Sequence, residues 1–254
     1  MPRGPRKKSE TGIYHIMMRG INHQTIFEED EDSEKFLQVL HRYKEKCGYQ
    51  IYGYCFMGNH LHLLLKVGTD PLEKIMRMIC GSYVYWYNQK YDRVGNLFQD
   101  RFKSEPIDNE AYLLTVLRYI HQNPVKAGMT QKMENYQWSS YNDYINKVTN
   151  GLTDKIFVLG LFHDKVNVAK DLFIKYMEDV QEDTCLDMED NDRMTDFDAR
   201  ALIVKIYKLN SPTEIQKVDI PTRDRMLRNL KDSGLSIRQI ERLTGINRGV
   251  VLKA

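Results

Sequence analysis

"YQIYGYCFMGNHLHLLLKV", residues 49–67, decides the fold. Two runs rich in aromatic and aliphatic residues flank Gly58-Asn59, a pair able to take positive φ and so to close a tight hairpin. The second run is apolar enough for a central strand, yet it carries His60 and His62 with only Leu61 between them. Alternate side chains leave the same face of a strand, so the two imidazoles stand about 6.6 Å apart along it and face one way.

Working outward, "GIYHIMMRG" (residues 12–20) reads as an earlier strand, with Tyr14, Ile16 and Met18 on one face and His15, Met17 and Arg19 on the other. Between it and the hairpin, Phe36, Leu37, Leu40 and Tyr43 fall at helical spacing over Ser33–Lys46, with Ser33 as cap and Gly48 as stop. After the hairpin, Asp70 as cap and Pro71 in the first turn open a helix to about Lys90, with Leu72, Ile75, Met76, Ile79 and Tyr83 on its inner side. Residues 101–107 make a further strand, and Asn109 opens the helix "NEAYLLTVLRYIHQNP", which Pro124 should stop. The order βαββαβ plus a helix predicts an α+β, ferredoxin-like (split βαβ) antiparallel sheet with helices on one face.

The chain has 254 residues, a formal net charge of +2 and four cysteines with no CxxC spacing, which points to reduced thiols in a cytosolic setting. The basic start lacks a following apolar run, and the longest apolar stretches are too short to cross a bilayer; the expectation is a soluble, cytoplasmic protein without membrane contact. The small net charge hides an asymmetry. Residues 178–199 hold ten acids against Arg193 alone, whereas residues 221–254 hold eight Lys/Arg against three acids. This predicts a main domain over 1–150, a helical extension of it over 151–180, an acidic linker region over 181–220 and a basic helical module over 221–254.

Two polar rings on one face of a buried strand need a common partner, and a divalent metal ion is the economical one, since imidazole is a common ligand. Two ligands do not suffice. In "RYIHQNP" Tyr119 and Asn123 lie at i and i+4, so a phenol and an amide leave one side of a helix. Asn123 can complete the site; Gln122, at i+3 from Tyr119, is the alternative. A phenol has a reference pKa of about 10 and must lose its proton to act as a nucleophile, but its phenolate is a good leaving group. Such a phenol is a candidate nucleophile whose covalent products are reversible.

"GNHLHLLL", "YIHQNPVKAG" and "YHIMMRG" together resemble the single-tyrosine HUH endonucleases, specifically the REP-associated tyrosine transposases and their insertion-sequence transposase relatives, over about residues 12–145. The resemblance implies that His60 and His62 are paired metal ligands and Tyr119 the nucleophile, with Asn123 where the family places an amide-bearing third ligand. The related insertion-sequence members carry Gln in that role. It further implies single-stranded DNA with a hairpin as substrate, attacked by Tyr119 to give a reversible 5′-phosphotyrosine and a free 3′-hydroxyl, and a monomer or homodimer as the working state; with such ligands Mg²⁺ or Mn²⁺ is the expected cofactor.

Arg19, Arg101, Lys103, Arg118 and Lys126 are expected to hold DNA phosphates, and His15 shares the face of Arg19. In the basic end, "GLSIRQIERLTGINRGVV", Ile237, Ile240 and Leu243 fall at helical spacing before Gly245, resembling a helix-turn-helix that would offer Asn247 and Arg248 to the major groove of duplex DNA. The leading reading is thus a metal-dependent DNA-nicking and strand-transferring enzyme. The alternative is a non-catalytic nucleic-acid-binding regulator, because a ferredoxin-like sheet also serves RNA and DNA binders.

Overall fold

The computed structural model describes residues 6–145, 151–181, 185–186, 196–209 and 211–254. Its chain divides into two units, residues 1–187 and 188–254. The first is built on β1 (Ile13–Arg19), β2 (Gln50–Met57), β3 (His60–Lys66) and β4 (Lys103–Ile107), hydrogen-bonded antiparallel in the order β2-β3-β1-β4. This is the expected ferredoxin-like sheet, with β3 and β1 at its centre.

Helices α1 (Asp30–Cys47) and α2 (Leu72–Lys90) cover the face that carries Tyr14, Ile16, Met18, Leu61, Leu63 and Leu65. The three leucines are fully buried, each contributing about 1.5–3 kcal/mol. The opposite face is covered too, by α3 (Glu110–Lys126), α4 (Tyr141–Tyr144), α5 (Lys155–Gly160) and α6 (Val166–Glu178), which corrects the expectation of helices on one side only. The reason lies in the strands: Ile13, Tyr52, Cys55, Met57 and Leu64 point away from α1 and α2 and would otherwise face water.

Local signals were partly displaced. Helix α1 starts before Ser33: Glu29 is its N-cap and forms a reciprocal capping box with Asp32, and Ser33 is buried one turn in. Pro71, rather than Asp70, is the N-cap of α2, and the Asp70 carboxylate instead pairs with Lys74 Nζ at 2.7 Å. Neither Gly58 nor Asn59 is among the positive-φ residues, so the hairpin closes without left-handed backbone. Pro124 does not stop α3 but lies inside it, near its end, where the missing N–H removes one bond from the last turn while Ala127 N still donates to the Asn123 carbonyl at 2.9 Å.

Gly53, on β2, fixes how α3 sits on the sheet: a Cβ there would lie 2.4 Å from Leu117 Cδ1 of α3. Gly20, just after β1, is as constrained, since a Cβ would come within 2.1 Å of the Gln24 carbonyl oxygen.

In the second unit, α7 (Asp196–Tyr207), a 3₁₀ turn at Pro212–Lys217, α8 (Ile220–Asp232), α9 (Ile237–Thr244) and α10 (Arg248–Lys253) share a core of Ile203, Ile215, Leu227, Leu230, Ile240, Leu243 and Val251. Ser236 and Asn247 cap α9 and α10 with their side chains, and Gly245, at φ 72°, ends α9. Structure therefore begins well inside the stretch expected to be linker, because Ala199 and Ile203, four apart, bury one face of α7. The acid-rich residues 182–184 and 187–195, and Asn210, lie outside the described residues. Among the described residues no helix is long and apolar enough to cross a membrane.

Candidate active site

The sheet register sets the site. Arg19 pairs across the strands with His60, Met17 with His62 and His15 with Leu64, so these side chains leave the face covered by α3. On the other flank of β3, Met57 is opposite His60 and Cys55 opposite His62. His62 is thus fully buried between the apolar side chains of Met17 and Cys55.

The two imidazoles of β3 lie 5.3 Å apart, centroid to centroid, with their planes near perpendicular. His60 Nδ1 meets Asn59 Oδ1 at 2.7 Å, and an amide oxygen accepts, so Nδ1 carries the proton and Nε2 keeps its lone pair. His62 Nδ1 meets His15 Nε2 at 3.0 Å, and His62 Nε2 meets the Asn123 amide at 3.2 Å. Burial, then the neighbouring His15 and His60, hold the His62 pKa well below its ordinary 6.5, so the ring is neutral.

Helix α3 brings Tyr119 and Asn123 to this pair. The Tyr119 ring lies edge-on to His62 at 5.7 Å and to His15 at 6.2 Å, with 8% of the residue exposed. Lys126 Nζ stands 5.8 Å from the centre of the same ring. Two, six and nine residues on from the core-facing Leu117, these three side chains fall on one side of α3 by helical geometry, and their position is set once Leu117 is seated against Gly53.

Behind His15 stands Glu105 of β4, with Oε2 at 3.8 Å from His15 Nδ1, an ion-pair rather than a hydrogen-bond separation. The Glu105 carboxyl is held below the usual carboxylate range by His15, then by Tyr112 and the Leu186 N–H, against the opposing effect of burial. Sequence reasoning set His15 aside and missed Glu105 and Asn59. Their only sequence signals were strand alternation for His15 and adjacency to His60 for Asn59.

Other expected residues go elsewhere. Gln122, the alternative ligand, turns away from the histidines and donates from Nε2 to the carbonyls of Met177 at 2.8 Å and Asp179 at 3.0 Å. Arg118, expected on phosphate, is buried, with its guanidinium 4.4 Å from the Tyr176 ring centre and 3.6 Å from Asp179 Oδ2. It cannot hold phosphate without breaking that packing. Arg19 contacts His23 Nδ1, while Arg101, Lys103 and Lys126 are exposed, as are Asn247 and Arg248 at the start of α10.

The donor set fits a divalent ion. His60 and His62 can each offer Nε2 to a cation, and turning the Asn123 amide over would place its oxygen, a ligand for hard cations, beside His62. Among the described residues no three His, Cys, Asp or Glu side chains cluster as metal ligands, so coordination here would need the amide, water or substrate oxygens.

Residues 8–123 match the family model described as "Transposase IS200 like". Among solved structures, the chain is similar to a REP-associated tyrosine transposase bound to a REP hairpin, at 17% identity and TM-score 0.50, over 61% of this chain and 94% of that one. It also aligns with a putative transposase from Deinococcus radiodurans R1, at 16% identity and TM-score 0.34, over 48% of this chain and 97% of that one. No curated protein matches it. The matched stretch takes in the whole sheet and α3 as far as Asn123, and over it the chain is similar to the IS200-like transposases.

Proposed function

We propose that this protein is a DNA transposase that cuts and rejoins single-stranded DNA carrying a hairpin, with Tyr119 as nucleophile and His60, His62 and Asn123 as the ligands of a Mg²⁺ or Mn²⁺ ion. The observation that carries the reading is the Tyr119 ring at 5.7 Å from His62, whose Nε2 faces the Asn123 amide at 3.2 Å. A bond forms between the phenolic oxygen and phosphorus, and the bond from phosphorus to the 3′-oxygen breaks. The tyrosine proton leaves to solvent base, and the departing 3′-oxygen takes one up. A second 3′-hydroxyl reverses the step with no outside energy, which suits strand transfer. When bound, the ion would offset charge on a non-bridging phosphate oxygen. Neutral ligands leave that charge undiminished.

A hairpin substrate is supported by the fold shared with the REP-hairpin-bound protein. Exposed Arg101, Lys103 and Lys126 would track the strand, and Asn247 and Arg248 at the start of α10 would meet duplex DNA in helix-turn-helix fashion.

The test is a hairpin oligonucleotide with a single-stranded flank, incubated with the full chain and Mn²⁺. A covalent protein–DNA adduct is expected, absent in Tyr119→Phe and after chelation. Cleavage without an adduct makes water the nucleophile. Reversible, chelator-insensitive binding with no cleavage favours the regulator, and either result overturns the reading.

A further inference from the structure

Imidazole has two nitrogens, and a histidine that is to bind a cation through Nε2 must carry its proton on Nδ1. What fixes that choice is the group facing the other nitrogen. For His62 that group is a second imidazole, His15 Nε2, at 3.0 Å, with the two rings stacked 5.2 Å apart. Between two imidazoles that share one proton, it can sit on either nitrogen, so a group outside the pair must break the tie; the Asn123 amide, 3.2 Å from His62 Nε2, can turn over and so fixes nothing by itself. Glu105 does so: its carboxylate lies 3.8 Å from His15 Nδ1 and draws the His15 proton to that nitrogen. His15 Nε2 is then left an acceptor, His62 Nδ1 becomes the donor, and the lone pair of His62 Nε2 points at Asn123. Glu105 is itself fixed by the Leu186 N–H at 3.2 Å. The chain of contacts runs from the edge strand β4 across β1 to β3, one side chain per strand.

We infer that Glu105 and His15 form a positioning relay that sets the tautomer and ring orientation of His62 so that its Nε2 is presented to a divalent cation. The relay's cation-facing half rests on the proposed metal site; its tautomer-setting half stands without it.

Two measurements on the full chain keep these apart. Long-range ¹H–¹⁵N spectra of the metal-free protein read the His62 tautomer: Nδ1–H is expected in the wild type, with a shift toward Nε2–H in His15→Phe and Glu105→Gln. Titration with Mn²⁺ followed by electron paramagnetic resonance reads affinity. His15→Phe should raise the Mn²⁺ Kd by about 10–100-fold. His15→Gln, whose amide reaches the position of the imidazole Nε2, should recover most of that loss, a rescue that packing alone does not provide. Glu105→Gln, on the partly exposed edge, serves as the second variant should His15→Phe fold poorly. An unchanged His62 tautomer in both variants overturns the relay. A wild-type protein that shows the Nδ1–H tautomer but gives the same weak Mn²⁺ signal as His62→Ala overturns the metal site instead.

Discussion

At the scale of single residues, two imidazoles are held neutral in the interior and tie stability to pH. Burial, then His15 and His60, depress the His62 pKa, and burial alone takes His121 down to about 3. Unfolded, both would titrate near 6.5, so below that value the unfolded chain binds more protons than the folded one. Stability is fully present above pH 6.5 and falls as pH drops, by about 1.4 kcal/mol per unit for each group, down to about pH 3 for His121. Urea midpoints should be level between pH 7 and 8 and decline from pH 6.5 to 5, with a shallower decline in His121→Phe. A midpoint that rises on acidification contradicts the buried neutral rings. Asn123 and Gln122 offer a second contrast. Asn123→Ala should weaken Mn²⁺ binding about tenfold or more. Gln122→Ala should leave it unchanged while costing about 1–3 kcal/mol of stability, since the Met177 and Asp179 carbonyls lose their donor. The juxtaposition of His60, His62, Tyr119 and Asn123 was legible because strand and helix periods are local. The fates of Gln122 and Arg118 were not, because α6, about fifty residues downstream, decides which side of α3 is interior.

At the scale of elements, the ferredoxin-like antiparallel sheet followed from alternation, helical spacing and turn residues, whereas the second helical layer did not. Tyr52, Cys55, Met57 and Leu64 make β2 and β3 apolar on both faces, a pattern that says a face is covered without saying by what. Element ends were the least legible part. The acidic run Asp30-Glu31-Asp32 starts α1 ahead of Ser33 because carboxylates suit a helix N-terminus. The close approach of β2 to α3 yields a prediction of its own. Gly53→Ala forces Leu117 aside, and with it the helix that carries Tyr119. The substitution should destabilise by about 1–3 kcal/mol and slow adduct formation more than it weakens DNA binding. Leu117→Ala added to it should cost less than the sum of the two single changes, and strict additivity in the urea midpoints would show that the two residues do not collide.

At the scale of the whole molecule, composition hid the division of charge. The small net figure averages an acid-rich stretch with a basic end, and only a pass along the chain separates them. The boundary was harder to read, since α7 lies in the same acidic window and is recognisable as folded only from the burial of Ala199 and Ile203 with the C-terminal core. If the exposed start of α10 meets duplex DNA, Arg248→Ala should weaken duplex binding and reduce the slope of log K against log salt by about one. Tyr119 adducts on a single-stranded flank should form at the wild-type rate in that variant. A salt slope unmoved by the substitution would remove Arg248 from the interface.

Tyr119 is recessed, with only 8% of its surface reaching water. On the proposed chemistry that recess works as a gauge. A stiff paired helix meets only the rim, whereas a lone, pliant strand can dip one phosphate down to the waiting oxygen. Substrate choice would then begin before any base is read, as a matter of what is thin enough to fit.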